Sequence, residues 1–251
     1  MISAPHRRLV LALLVVAVLV VTAGCAAMSN DIPDEQLDED AEYDDLRERD
    51  ATVAIDLEAG GMLSDGSFRA VYTVNGTDEL ELYRTGLYSD SPVSVHGVRF
   101  WYPNDTVVTG SELDVERGDS RTRIGLPADN GTLAVSGPAG KKTFALPAVR
   151  EGSYNVTLPE GHRSSSFVLG SVEPGAYDRR VLGETESLYW ESVDSSISVR
   201  YYHERDRTLF YGLVVLVLGA GGVAAAVTYR RIKRLERRRM AMSVESDDGT
   251  E

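Results

Sequence analysis

Cys25 is the only cysteine in 251 residues, and it closes the stretch Thr22-Ala23-Gly24-Cys25. Small residues ahead of a cysteine suit the narrow cleft of a lipoprotein-processing enzyme, after which the thiol carries acyl chains. The stretch is lipobox-like, with Thr22 at the −3 place where leucine is commoner. A lone cysteine also excludes an intrachain disulfide, so the body must hold itself with a hydrophobic core. A second chemistry is offered by four Asn-x-Thr sequons, starting at Asn75, Asn104, Asn130 and Asn155. Such sequons are acceptors for a saccharide on the asparagine amide. On a strand with Tyr154, Val156 and Leu158 facing in, Asn155 and Thr157 face out together.

Other chemistries find little to work with. His96, His162 and His203 are far apart and follow no ligand spacing, so no metal site and no cofactor are expected. Ser164, Ser165 and Ser166 follow His162, but there is no G-x-S-x-G elbow. A Ser-His-Asp set assembled from distant strands stays open as an alternative. Neither a phosphate-binding glycine loop nor a dinucleotide fingerprint is present. Glu184 and Glu186 have the spacing of paired carboxylates, as do many acidic pairs in a chain of net charge −13. That negative charge argues against nucleic acid as a partner, because phosphates need a basic footprint. Trp101 opposes Phe100 and Tyr102 in the alternation, so one sheet face or the other shows an aromatic that could meet a partner or a glycan.

Two apolar runs place these residues. Leu9 to Val21 is thirteen uninterrupted apolar residues after Arg7-Arg8, the length of a signal-peptide core. Residues 1–25 thus read as a signal peptide cleaved at Cys25, or as an uncleaved signal anchor; the export route stays open. Thr208 to Tyr229 is 22 residues without a charge, about 33 Å of helix and enough to cross a bilayer. Its pairs Ala220/Ala224 and Gly221/Ala225 are small-xxx-small spacings that would let two copies approach as a homodimer. Behind it, Arg230, Arg231, Lys233, Arg234, Arg237, Arg238 and Arg239 form a basic cluster suited to anionic headgroups. By the positive-inside rule residues 230–251, a basic helix and acidic tail, are cytoplasmic and the region between the runs is extracellular.

Residues 26–50 hold eleven Asp or Glu and two Arg, and read as an acidic disordered tether. From residue 51 to 206 the pattern is period-two alternation. Phe68, Ala70, Tyr72 and Val74 share a face, as do Leu80 and Leu82, Leu133 and Val135, and Ile197 to Tyr201. Turn signals at Asp65-Gly66, Asn75-Gly76, Asn130-Gly131, Gly137-Pro138 and Glu173-Pro174-Gly175 separate about a dozen strands, with Asn-Gly favouring tight hairpins. The fold class expected is an all-β ectodomain, an antiparallel β-sandwich or two in tandem with a boundary near residue 150, plus a C-terminal transmembrane helix and an N-terminal apolar helix.

The segments KKTFALPAVREGSYNVTLPEGHRSSSFVLGSVEPG (141–175) and SSISVRYYHERD (195–206) resemble an uncharacterised haloarchaeal membrane-protein family, a domain of unknown function. The acid-rich composition, with three lysines against 23 arginines, is similar to that of haloarchaeal proteins. The resemblance implies location and architecture and carries no catalytic residues. Together these readings describe a non-enzymatic membrane-anchored surface protein. Its β body would meet a surface layer, a glycan or a membrane complex. A membrane-tethered hydrolase and a surface sensor are the alternatives.

Overall fold

The computed structural model describes residues 31–247 apart from 62, 63, 87, 88 and 167, with side chains as far as 235. These fall into two units that divide after Tyr201. The first begins with two one-turn helices, α1 (Asp34–Leu37) and α2 (Asp44–Arg47). Strands β1 (Val53–Glu58), β2 (Gly66–Asn75), β3 (Glu79–Arg84), β4 (Ser91–Pro92), β5 (His96–Trp101) and β6 (Val107–Thr109) follow, then a 3-10 turn at Gly110–Glu112. Next come β7 (Asp114–Arg117), β8 (Thr122–Gly125), β9 (Asn130–Ala139), β10 (Thr143–Leu146) and β11 (Gly152–Thr157). The unit ends with β12 (His162–Arg163), β13 (Ser171–Glu173), β14 (Asp178–Leu182), β15 (Thr185–Val193) and β16 (Ile197–Arg200).

One sheet has eight strands in the order β14-β15-β11-β1-β2-β9-β5-β6. A four-stranded sheet, β4-β3-β8-β7, and a three-stranded sheet, β10-β16-β13, complete the unit's main ladders. The alternation read from sequence decides which side chains go inside. Val53, Ile55 and Leu57 of β1, the Phe68 to Val74 face of β2 and Leu133 and Val135 of β9 share one buried core with Leu80, Leu82, Ile124, Phe144, Leu146, Ile197 and Val199 of the smaller sheets. Phe68 and Phe144 meet edge to face at 5.5 Å. That single core joins strands on both sides of residue 150, so the tandem arrangement does not occur within the first unit. The antiparallel rule also has an exception: β1 and β11 pair in parallel, Val53 opposite Tyr154 and Asp56 opposite Thr157. These strands lie far apart in sequence, so the whole intervening chain serves as the crossover.

Two expected turns have other roles. Asn130 and Gly131 belong to β9, opposite Asn75 and Val74, and Gly137-Pro138 lies deeper in the same strand, opposite Phe68 and Ser67. A Cβ on Gly137 would come within 2.7 Å of the Phe68 ring, so here glycine clears space rather than turning the chain. Asn75-Gly76 does turn, with Gly76 at φ +72°, but the turn carries the chain from the eight-stranded to the four-stranded sheet. The β8–β9 connection makes the same passage beside it. Bonds from Gly76 N–H to the Asp129 carbonyl (2.7 Å) and from Leu126 N–H to the Asp78 carbonyl (2.7 Å) continue the ladder between them. The result is one antiparallel ribbon, β2–β9 then β3–β8, bent so that it serves both sheets.

The largest departure from the sequence reading is the acidic segment. Residues 31–50 are ordered on the body, because Leu37, Tyr43 and Leu46 are buried while the acids point outward. Tyr43 and Leu46 pack with Ala54, Val71 and Ala134 on the side of the eight-stranded sheet away from the main core. Buried side chains of this size contribute about 1.5–3 kcal/mol each, enough to order a short segment that is also hydrogen-bonded. The Tyr43 hydroxyl donates to the Gly97 carbonyl (2.7 Å) and takes a bond from Ser136 Oγ (2.7 Å). Burial pushes that hydroxyl up to about 12, so it remains a donor. Arg99 donates to the Asp38 and Glu39 carbonyls, and Gln36 to the Val95 carbonyl. Asp38 accepts from Ser111 N–H (2.9 Å) and Ser111 Oγ (2.6 Å), which lowers its carboxyl from the usual value.

The second unit contains Tyr202–His203 and α3 (Glu204–Asp247), 44 residues long. Within it the stretch Thr208 to Tyr229 carries no charge, and Leu213, Val215, Leu216, Val217, Leu218 and Val223 are exposed. It is long and apolar enough to cross a membrane.

Gly97 has φ +59°, and a Cβ there would lie 2.9 Å from Ala41 Cβ and 3.2 Å from the Tyr43 hydroxyl. Gly97→Ala is therefore expected to loosen residues 36–49, and Tyr43→Phe to cost about 1–3 kcal/mol by orphaning buried partners. Hydrogen exchange over residues 36–49 checks both. Fast exchange there already in the unaltered protein would sink the account of a docked segment.

Candidate interaction face and membrane helix

The eight-stranded sheet has an outer face, and residues 31–50 cover about half of it. Trp101 points outward from β5, as the alternation allows. Tyr43 meets its ring edge-on at 6.2 Å, and the Arg47 guanidinium lies 4.5 Å from the ring centre. The candidate aromatic platform is thus occupied by the chain's own N-terminal segment. Trp190 points the other way, is buried, and donates from its indole nitrogen to the Pro174 carbonyl at 2.9 Å.

Arg49 marks the boundary of the covered half. It donates to Thr157 Oγ1 (2.8 Å) and Asn155 Oδ1 (3.3 Å) and pairs with Asp45 at 3.4 Å. Close by, Arg69 reaches from β2 to Asp56 (2.7 Å), Asp45 (3.3 Å) and Glu58 (3.6 Å). Burial raises the Asp56 carboxyl from its usual value even with Arg69 beside it. Beyond Arg49 the outer face of β11, β15 and β14 is open. It holds a groove of about 510 Å³ lined by Arg49, Asn155, Arg180, Leu182, Ser187 and Tyr189 among others. Leu182, at the tip of the β14–β15 hairpin, is 80% exposed. Arginines on an exposed edge strand such as β14 also discourage unwanted strand pairing.

The four sequons do not share one environment. Asn75 and Asn130 are exposed and directly opposed at the end of the β2–β9 ladder. Asn104 is exposed between β5 and β6. Asn155 is half-buried under Arg49, and its amide nitrogen donates to Ser187 Oγ at 3.3 Å. The expectation that Asn155 and Thr157 face away from the main core holds. What covers them there, Arg49, comes from the segment read as a tether.

Glu186 is a polar centre that sequence reasoning passed over. It faces inward from β15 beside Leu188 and is fully buried. Arg179 donates to it at 2.9 Å, Ser164 N–H at 3.2 Å, and the Ser164 hydroxyl makes a third bond. Burial alone would raise the carboxyl, but Arg179 and Ser164 outweigh it and hold Glu186 below its usual range. Its inward parity on β15 was the available signal. Glu184 is exposed at the hairpin, so the two acids do not face each other. Ser164 thus bonds a carboxylate, while His162 Nδ1 lies 2.9 Å from the Glu160 carbonyl. Among the described residues, no three His, Cys, Asp or Glu gather as metal ligands.

On α3, Arg230, Arg231, Lys233 and Arg234 are exposed in the turns that follow the uncharged stretch. Arg237, Arg238 and Arg239 lie on the same helix, but their side chains are outside the described set. Ala220, Gly221, Ala224 and Ala225 are exposed, and space around Gly221 is open. Cys25 lies outside the described residues.

Among the described residues, a strand-rich unit followed in the chain by one helix long and apolar enough to cross a membrane defines a β protein with a candidate membrane span. The chain belongs to the family of unknown function DUF5803, which matches residues 49–247. The matched range begins at Arg49 and takes in every strand and α3. Comparison with curated proteins gives no match.

Because the folded carboxyl of Glu186 lies below its ordinary value of 4.5, its stabilisation is full above that value and is lost as pH falls through the folded value. Urea midpoints measured between pH 7 and pH 3 should drop at the acid end. Glu186→Gln should lower the unfolding free energy at neutral pH by about 1–3 kcal/mol, and with it the urea midpoint, and flatten the acid slope. An unchanged slope in that variant would mean that other carboxylates govern acid unfolding.

Proposed function

We propose that this chain is a membrane-anchored cell-surface protein. Its body, a β-sandwich, stands outside the cell and works as an interaction or accessory module without catalysis of its own. The observation that carries this reading is α3: 22 uncharged residues, all but Phe210 exposed, run directly into Arg230, Arg231, Lys233 and Arg234. Basic residues at one end of a span favour the cytoplasmic side, and the mixed flank Glu204 to Arg207 then lies outside. The sharing of one core by the eight-stranded sheet and the smaller sheets supports the sandwich reading.

The open outer face supports the interaction reading. Its polar groups line a shallow groove beside an exposed hairpin, while the buried Glu186 is satisfied structurally by the buried Ser164 and by Arg179 reaching in from the exposed edge strand. An acyl chain on Cys25 would restrict the body further. Five residues, 26–30, lie between Cys25 and Asp31, a reach of about 20 Å at full extension. Lipidation of Cys25, glycosylation of the body, a haloarchaeal source and pairing of α3 through Ala220, Gly221, Ala224 and Ala225 belong to this same proposal.

Protease added to intact cells should remove the body and leave a protected fragment containing residues 230–251. Protection of the whole body would overturn the orientation. Crosslinking in intact cells should then capture a stable neighbour through residues near Arg180 and Tyr189. Repeated recovery of the protein alone would overturn the accessory role.

A further inference from the structure

The four sequons are alike in sequence, and the fold separates them by how far each can leave its neighbours. Asn155 sits in β11 with β1 paired on one side and β15 on the other, and both ends of its amide are bonded. Its threonine, Thr157, accepts from Arg49. Asn75 and Asn130 face each other across the β2–β9 ladder, so a saccharide on one crowds the other; Thr77 is also engaged with the Glu79 carbonyl. Asn104-Asp105-Thr106 differs from all of these. All three residues are exposed and belong to no strand, forming the hairpin between β5 and β6. The hairpin closes on itself, Asp105 N–H to the Tyr102 carbonyl and Tyr102 N–H to the Thr106 carbonyl, each 2.9 Å. Asn104 Oδ1 accepts from Thr106 N–H at 3.1 Å, which leaves its amide nitrogen turned to solvent.

We infer that Asn104 is the site at which the folded body is N-glycosylated, and that the other three sequons stay bare. This rests on the outward placement proposed above. In the transfer, the Asn104 amide nitrogen bonds to the anomeric carbon of an oligosaccharide carried on a lipid phosphate. The bond from that carbon to the phosphate oxygen breaks, the lipid phosphate leaves with the electron pair, and the amide gives up one proton. An enzyme pocket must admit the asparagine and its threonine together, and only a hairpin tip can enter without unzipping a ladder. The saccharide would then have a physical role. It stands at the start of β6, an open edge of the eight-stranded sheet, where Val107 is 46% exposed. Bulky hydrophilic cover at that edge blocks strand addition. Asp105 in the same hairpin pairs with Arg47 at 2.9 Å, so the hairpin is held against the N-terminal segment.

The test uses the full chain from native membranes, with glycopeptide mass spectrometry and protease treatment of intact cells run in parallel. The expected result is one modified peptide, containing Asn104, and a single mobility shift. That shift should be lost completely in Asn104→Gln and in Thr106→Ala, and kept in Asn155→Gln and in the double variant Asn75→Gln/Asn130→Gln. A protease-accessible body with bare Asn104 would overturn the inference and leave the outward placement standing. Comparable occupancy at Asn75, Asn130 or Asn155 would also overturn it, because modification would then precede folding. A protease-protected body would overturn the placement and the inference with it.

Discussion

The hydroxyl of Tyr43 is the fixed point from which the covered half of the outer face is organised. A large sheet has two faces, and the smaller sheets fill only one. On the other, Ala54, Val71, Ala134 and Trp101 form an apolar patch that water would otherwise wet. Tyr43 fills it, and its two buried hydrogen bonds, to Gly97 and Ser136, hold the segment in one register. The neighbouring contacts depend on that register. Ala41 rests where a Cβ on Gly97 would be, Arg47 lies over Trp101, and Arg49 reaches the β11 side chains. The segment is therefore part of the fold although it contains only two short helical turns.

The bent ribbon is the second organising feature. Strands β2 and β9 pair over ten residues and then turn together, so the four-stranded sheet grows out of the middle of the eight-stranded one. A bend shared by two paired strands keeps backbone groups bonded through the corner, which two separate loops would not do. It also fixes the sequons Asn75 and Asn130 opposite each other, a relation invisible at 55 positions' separation. The parallel pairing of β1 with β11 closes the other half of the sheet and brings Arg49, at the head of β1, beside Asn155 and Thr157.

These features give the interaction reading its physical basis. A face half covered and half open offers a partner a rigid surface with a defined margin at Arg49. The open half carries Arg180, Tyr189 and Leu182 on an edge hairpin, in a protein whose net charge is otherwise strongly negative. Arg49 and Arg180 stand there beside Asp50, and such mixed charges select a partner's orientation more than they add affinity.

The sequence by itself determined the strands and the helix. Phe68, Ala70, Tyr72 and Val74 all point inward, because a period of two leaves a half-buried strand one choice of face. The uncharged stretch from Thr208 to Tyr229 is helical because apolar length and composition suffice to specify it. Tertiary structure alone decided the rest. Asn-Gly reads as a hairpin, but whether Asn75-Gly76 joins neighbouring strands or two sheets depends on distant pairing. Residues 31–50 read as a tether because their average charge is high. Order there came from three side chains, Leu37, Tyr43 and Leu46, whose burial needs a surface built by strands far along the chain. Glu186 is one acid among 39 Asp and Glu until Ser164 and Arg179 close around it. Periodicity is a local property and is written in the chain. Cover, bends and ion pairs to a buried carboxylate are relations between segments brought together by folding, and they exist only once the chain has folded.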